Sequence, residues 1–255
     1  MSSNLHISHL SLSYNQGDKV EICKDFNFNA EGGEIIGILG PNGSGKTTLL
    51  NALLGFKEIN EGAIDLTIAD KSSHEITYIP QAFEASFFPW INLRNNIRLV
   101  FPSFYKDKNV IDKSIDEWKA KFQIEFDLDK RPRECSGGML QQAAILRAFS
   151  VNKGVILADE PFSALDISIS HKIRSAFRAS VIEKKLVCIV VLHDLEDLVS
   201  LCDRVIIIPN KPYTTEDYSG YNKVQIVTNE RIQEASQLGE ASLVQIAEDF
   251  FKIDK

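Results

Sequence analysis

The sequence has no apolar run long enough to cross a bilayer. Its longest candidates, residues 187–192 and 205–208, are strand-length, whereas a spanning helix needs roughly 18 to 20 apolar residues. The first ten positions hold no Lys or Arg ahead of an apolar stretch, so no secretory leader is expected. Cysteine is scarce. Cys23, Cys135, Cys188 and Cys202 are scattered without C-x-x-C spacing. Cys23 and Cys188 stand in apolar, strand-like contexts, as buried thiols of a reducing compartment do. Basic charge is also short, with 28 Lys and Arg against 35 Asp and Glu and a net charge of −7. Nucleic-acid backbones are held by Lys and Arg, so no nucleic-acid partner is expected. Low-complexity tracts and internal repeats are missing too. What is present is an ordinary globular composition, 44% apolar and 25% charged over 255 residues. That excludes disorder and fits one sizeable core with a small satellite subdomain.

Residues 5–14 and 20–28 read as two short strands around the turn Asn15-Gln16-Gly17-Asp18. Residues 34–39 form a short apolar run ending in a glycine-rich loop. Leu49, Leu50, Leu53 and Leu54 then recur at helical spacing within residues 47–56. Residues 64–68 and 75–79 look like further strands. From residue 92 to about 124 the texture is helical. Ile111, Ile115, Trp118 and Phe122 make one stripe of an amphipathic helix, expected to face a core. An Ala- and Gln-rich helical stretch follows Ser136 and reaches about residue 150. Residues 155–158, 187–192 and 205–208 are nearly all apolar, as strands buried on both faces of a parallel sheet are. Helical stretches at 167–182 and 194–201 separate them, with Asp194 a candidate N-cap. This alternation predicts an α/β core. The segment beyond residue 210 carries no assignable role.

The loop Gly40, Pro41, Asn42, Gly43, Ser44, Gly45, Lys46, Thr47 matches G-x-x-x-x-G-K-[ST] in full, between a buried strand and a helix. Its glycines let successive backbone N–H groups turn inward around an anion. The helix that starts near Lys46 points its positive end at the same phosphates. Lys46 would reach the β- and γ-phosphates, and the Thr47 hydroxyl would ligate Mg²⁺. A second acidic site closes the apolar strand at 155–158. Asp159 is placed to position Mg²⁺, and Glu160 to orient the attacking water or accept its proton. His193 ends the strand at 187–192. His6, His9, His74 and His171 have no zinc spacing and are read as structural.

In order along the chain, residues 40–48 (ending in Thr48), Gln81, Cys135-Ser136-Gly137-Gly138-Met139, Asp159-Glu160-Pro161, Ser163-Ala164-Leu165-Asp166 and His193 resemble the nucleotide-binding subunit of ATP-binding cassette (ABC) transporters. The resemblance covers roughly residues 5 to 210. It implies a phosphate-loop NTPase core with an N-terminal antiparallel β subdomain and an inserted helical subdomain at about 84–150. Residues 1–210 would form a single ATPase domain and residues 211–255 a C-terminal extension of unknown role. Tyr14 would stack on adenine. Gln81 would touch Mg²⁺ and the attacking water. Ser136, Gly137, Gly138 and Met139 would clasp the γ-phosphate of ATP bound by a second subunit. Asp166 would cross that interface, and His193 would hydrogen-bond the γ-phosphate.

ATP and Mg²⁺ are thus the implied cofactors, and ATP hydrolysis the implied activity. The implied partners are a second ATP-binding subunit, as a homodimer, then transmembrane permease subunits and, indirectly, a solute-binding protein. The implied location is cytoplasmic, peripheral on the inner face of the cell membrane. Phe88-Pro89-Trp90 after Gln81, and Met139 where Gln is more usual, resemble the nitrate/sulfonate/taurine importer branch. Phe87, Phe88 and Trp90 either line the groove that receives a membrane-subunit helix or belong to the helical-subdomain core. Cys135, Gln142 and Leu146 depart from the family's usual Leu, Arg and Ala. An ABC exporter subunit and a soluble ABC ATPase outside transport are the alternative functions.

Overall fold

The computed structural model describes residues 3–16, 18–67, 76–101, 107–151, 154–193, 195–208 and 225–228. Gly17 of the expected turn, His74, the Asp194 cap and most of the segment beyond 210 lie outside them.

Strands β1 (Asn4–Gln16) and β2 (Asp18–Glu31) pair antiparallel, and β4 (Glu61–Thr67) lines the other edge of β1. Both early strands run longer than expected because their polar ends still pair. In β1 the buried apolar residues are Leu5 and Ile7, then Leu10 and Leu12. That pattern slips by one residue between Ile7 and Leu10, and strand alternation permits this only if the backbone bulges. The register breaks there, and His9 takes a left-handed φ of 51°.

The main sheet has six strands in the order β5-β6-β7-β3-β8-β9. They are β3 (Ile35–Leu39), β5 (Ile76–Ile79), β6 (Val155–Asp159), β7 (Val187–Val191), β8 (Arg204–Ile207) and β9 (Gln225–Thr228). All pair parallel except β9, which runs antiparallel to β8. Period-two alternation divides each buried strand between two cores. Ile36, Ile38, Val155, Leu157, Val187, Ile189 and Val191 join α1 (Lys46–Leu53) and the antiparallel sheet. Ile35, Leu39, Ile156, Ala158, Cys188 and Val190 face the other core. That core includes α2 (Leu93–Arg98), α3 (Lys108–Lys121), α4 (Gly137–Ser150), α5 (Ile167–Lys184) and α6 (Leu195–Leu201). Burying each such Ile, Val or Leu stabilises by about 1.5–3 kcal/mol.

The α3 stripe packs as expected. Ile111, Ile115 and Phe122 are buried, and Trp118 packs against them. Cys23 and Cys188 are buried free thiols, as is Cys202. No helix among the described residues is long and apolar enough to cross a membrane. The strand β9 was not anticipated; its Val227 is buried against β8 within the segment that carried no assignable role.

Candidate active site

In a parallel sheet, ligands collect beyond the carboxyl ends of the strands, where the connections diverge. Central β3 is flanked by β7 and β8, and the phosphate loop leaves its carboxyl end. Gln81 follows β5, Asp159 and Glu160 end β6, and His193 follows β7. One topological edge therefore gathers residues 112 positions and more apart in the chain, such as Thr47 and Asp159. They line a cavity of about 350 Å³ together with Tyr14, Asn42, Gly43, Gly45, Lys46 and Thr48.

The loop conformation depends on its glycines at two points. A Cβ on Gly40 would lie 2.5 Å from the Ile208 carbonyl oxygen, and Gly45 caps α1 with a φ of 104°. Tyr14 fastens the loop from outside, its hydroxyl donating to Gly43 O at 2.9 Å. The Lys46 ammonium is buried and folds back to donate to Gly40 O at 2.7 Å and Pro41 O at 3.0 Å. Burial lowers its pKa, while the charges of Asp159 and Glu160 pull the other way. Ser44 Oγ in the same loop is buried without a hydrogen-bond partner, turned toward Gly40, and Ser44 is not among the described residues that line the cavity.

Thr47 Oγ1 donates to Asp159 Oδ2 at 3.3 Å. Burial first, then the neighbouring charge of Glu160, raises the Asp159 pKa. A hydroxyl beside a carboxylate is a hard oxygen pair that suits Mg²⁺. Among the described residues no group of three or more His, Cys, Asp and Glu gathers to hold a metal alone. A cation here would complete its shell from phosphate and water, which is how Mg²⁺ is usually held.

Glu160 Oε1 accepts from Gln81 Nε2 at 3.0 Å and lies 2.7 Å from His193 Nε2. The three side chains thus meet at one carboxylate oxygen, aimed into the cavity beside Lys46. Ser136, Gly137, Gly138 and Met139 are not among the described residues that line it. They begin α4, where exposed Ser136 caps the helix by accepting from Met139 N at 3.3 Å. Asp166, equally exposed, occupies the N-cap of α5 without a side-chain cap bond.

The aromatic triplet divides. Phe87 is buried core beneath the Arg147 guanidinium, 4.5 Å from its ring, whereas Phe88 and Trp90 are 48% and 65% exposed. Sequence reasoning missed the polar residues that hold these loops. Arg147 donates to Ser86 O and Oγ at 2.7 and 2.6 Å. Asn96, buried in α2, donates to Phe88 O at 3.1 Å and accepts from Phe88 N at 2.7 Å. Buried Gln141 in α4 contacts the loop after Glu160. The available signal was a polar residue at a position where the helix is otherwise apolar.

A family profile described as ABC transporter matches residues 23–163. An uncharacterized ABC transporter ATP-binding protein of Bacillus subtilis is 32% identical over 83% of this chain and 82% of its own length. An aliphatic sulfonates import ATP-binding protein of Bacillus cereus is 34% identical over 77% of each. A nitrate import ATP-binding protein of Synechococcus elongatus is 30% identical over 83% of this chain and 33% of its own length. Among solved structures, a dimeric ATP-binding cassette in a post-hydrolysis state, bound to ADP and Pi, superposes with a TM-score of 0.68. It is 25% identical, covering 80% of this chain and 94% of that one.

Proposed function

From the premise that this chain belongs to the ABC transporter family of ATPases, we propose that it is the ATP-hydrolysing subunit of an importer. It powers solute uptake across the cytoplasmic membrane from a peripheral position on the inner face. Relatives named for sulfonate and nitrate import support that direction. The ATPase unit is residues 1–210, with the helical subdomain at about 84–150 inserted, and the 211–255 extension lends β9 to its sheet.

The chemistry follows from the groups in the cavity. ATP enters with its phosphates against the loop amides, and the Lys46 ammonium exchanges the Gly40 and Pro41 carbonyls for phosphate oxygens. The adenine stacks on Tyr14, which lines the same cavity. Thr47 and Asp159 would hold Mg²⁺, which would supply charge neutralisation for the phosphoryl group in transfer. Glu160 accepts a proton from the attacking water, which Gln81 helps orient, while His193 turns its Nε2 to the γ-phosphate.

Ser136, Gly137, Gly138 and Met139 are not among the described residues that line this cavity, and by the family resemblance they serve a second copy's ATP across a homodimer. Exposed amides at the start of a 14-residue helix and the Ser136 hydroxyl suit that anion. The closed dimer forms only around ATP, and its reopening after hydrolysis moves the attached permease subunits. Phe88 and Trp90, exposed with ring centroids 5.2 Å apart, offer the aromatic surface on which a permease helix docks. A solute-binding protein acts on the far side of that permease.

The observation that carries this reading is the meeting of Glu160, Gln81 and His193 beside the phosphate loop. Glu160→Gln keeps the shape and removes the base. It is expected to bind ATP as the parent does and to lose about 100-fold or more in turnover. Near-normal turnover by that variant would end the assignment.

A further inference from the structure

Gln141 is fully buried in α4, one and a half turns from the exposed start of the helix. A buried amide is tolerated only where its bonds are made, and this one makes them all to the loop that follows β6. Its Nε2 donates to Glu160 O at 3.1 Å and reaches Ser163 Oγ at 3.4 Å; its Oε1 accepts from Ala164 N at 2.7 Å. Glu160 itself is held in a costly conformation. Its φ is +50°, the left-handed region that a residue with a Cβ enters only under constraint. Its N–H donates to Val191 O at 3.1 Å, and its carbonyl also accepts from Ser163 Oγ at 3.1 Å. The peptide around Glu160 is therefore clamped by β7 on one side and by Gln141 and Ser163 on the other. This clamp aims the carboxylate at Gln81 and His193.

We propose that Gln141 is a positioning residue. It fixes the orientation of Glu160 in its own site and ties it, through the rigid α4, to Ser136–Met139, which cover the ATP of the other site. The inference rests on the proposed catalytic role of Glu160. A helix moves as a body over this span, about 1.5 Å of rise per residue. When the start of α4 closes on the partner's phosphate, the displacement reaches the Glu160 carbonyl through a bond of 3.1 Å.

Gln141→Leu removes all three polar contacts at similar volume. Gln141→Glu keeps an oxygen for Ala164 N but loses the donor to Glu160 O. Steady-state ATP hydrolysis by both variants, ATP binding by a fluorescent analogue and ATP-driven dimerisation in a Glu160→Gln background separate the outcomes. The expected result is kcat down about tenfold or more in each variant, because small misplacements of a reacting group are costly. The ATP KM stays within about twofold, and the Glu160→Gln background still dimerises. Parental kcat in either variant would overturn the proposal. Parallel loss of ATP binding and turnover in both would make Gln141 merely structural, and would overturn it too. Full turnover by Glu160→Gln alone would instead sink the functional reading beneath it, a distinguishable failure.

Discussion

At Asp159 the fold sets a carboxyl where burial opposes its charge and Glu160 adds to the opposition, so its pKa rises above the ordinary 3.8. A carboxyl with a raised folded pKa binds its proton more tightly folded than unfolded. Its contribution is complete below the unfolded value and is lost as pH climbs through the folded one. At neutral pH the ionised group therefore weakens the nucleotide-free protein. Asp159→Asn is expected to raise the melting temperature at pH 7 by about 2 °C or more, with a smaller gain near pH 4. ATP turnover should collapse in the same variant. A melting temperature unchanged at both pH values would contradict the electrostatic reading of this site. Lys46 and Thr47 were legible as single residues because motif and context fixed them. Gln141 was not, because a polar residue inside an Ala-rich helix reveals its partner only once α4 and the loop after β6 are packed together.

At the scale of elements, two loops carry separable consequences. The turn holding Phe88 and Trp90 is built on one buried side chain. Asn96 accepts from Phe88 N and donates towards Phe88 O, Ile91 O and Asn92 O. Removing such a hub leaves buried backbone groups unpaired, at a cost of about 1–3 kcal/mol. Asn96→Ala is therefore expected to keep basal ATP turnover within about twofold of the parent while losing most permease-stimulated turnover. Reconstitution with the permease subunits measures this. Equal stimulation in both proteins would remove the turn from the docking surface. The start of α4 is testable through Cys135. Burial pushes the Cys23 thiol up to about 12 and raises Cys188 and Cys202 as well, all three being enclosed. Cys135 is only partly enclosed beside Ser136. Alkylation followed by mass spectrometry should find Cys135 modified first. In Glu160→Gln, ATP should protect it, because the closed dimer covers that helix start. Unprotected labelling would argue against closure. Elements with a local pattern, such as β6, apolar up to Asp159, the all-apolar β7 or the α3 stripe, could be read from sequence. Strand β9 could not, because it buries Val227 against β8 while Ile226 and Thr228 are exposed, in a mostly polar stretch.

At the scale of the whole molecule, the proposed reaction is shared between two places that lie apart within one copy. Phosphate loop, Asp159, Glu160, Gln81 and His193 share one cavity, while exposed Ser136 and half-buried Gly137, Gly138 and Met139 start α4 outside it. The α/β order and the helical stretch from residue 92 to about 124 could be read from periodicity, while the reading of that stretch as an inserted subdomain came from the resemblance. The proposed sharing of the site could not, since it would be a property of two chains, and only the resemblance pointed to it. Two variants test it. Lys46→Ala disables a copy's own phosphate grip but leaves its α4 start intact, and Ser136→Arg does the reverse. Each alone should be inactive. Mixed in equal amounts, they should recover partial ATP turnover, because one composite site in each mixed dimer keeps an intact loop and an intact cover. Turnover that stays absent from a mixture shown to form mixed dimers, or a fully active Ser136→Arg, would contradict the account.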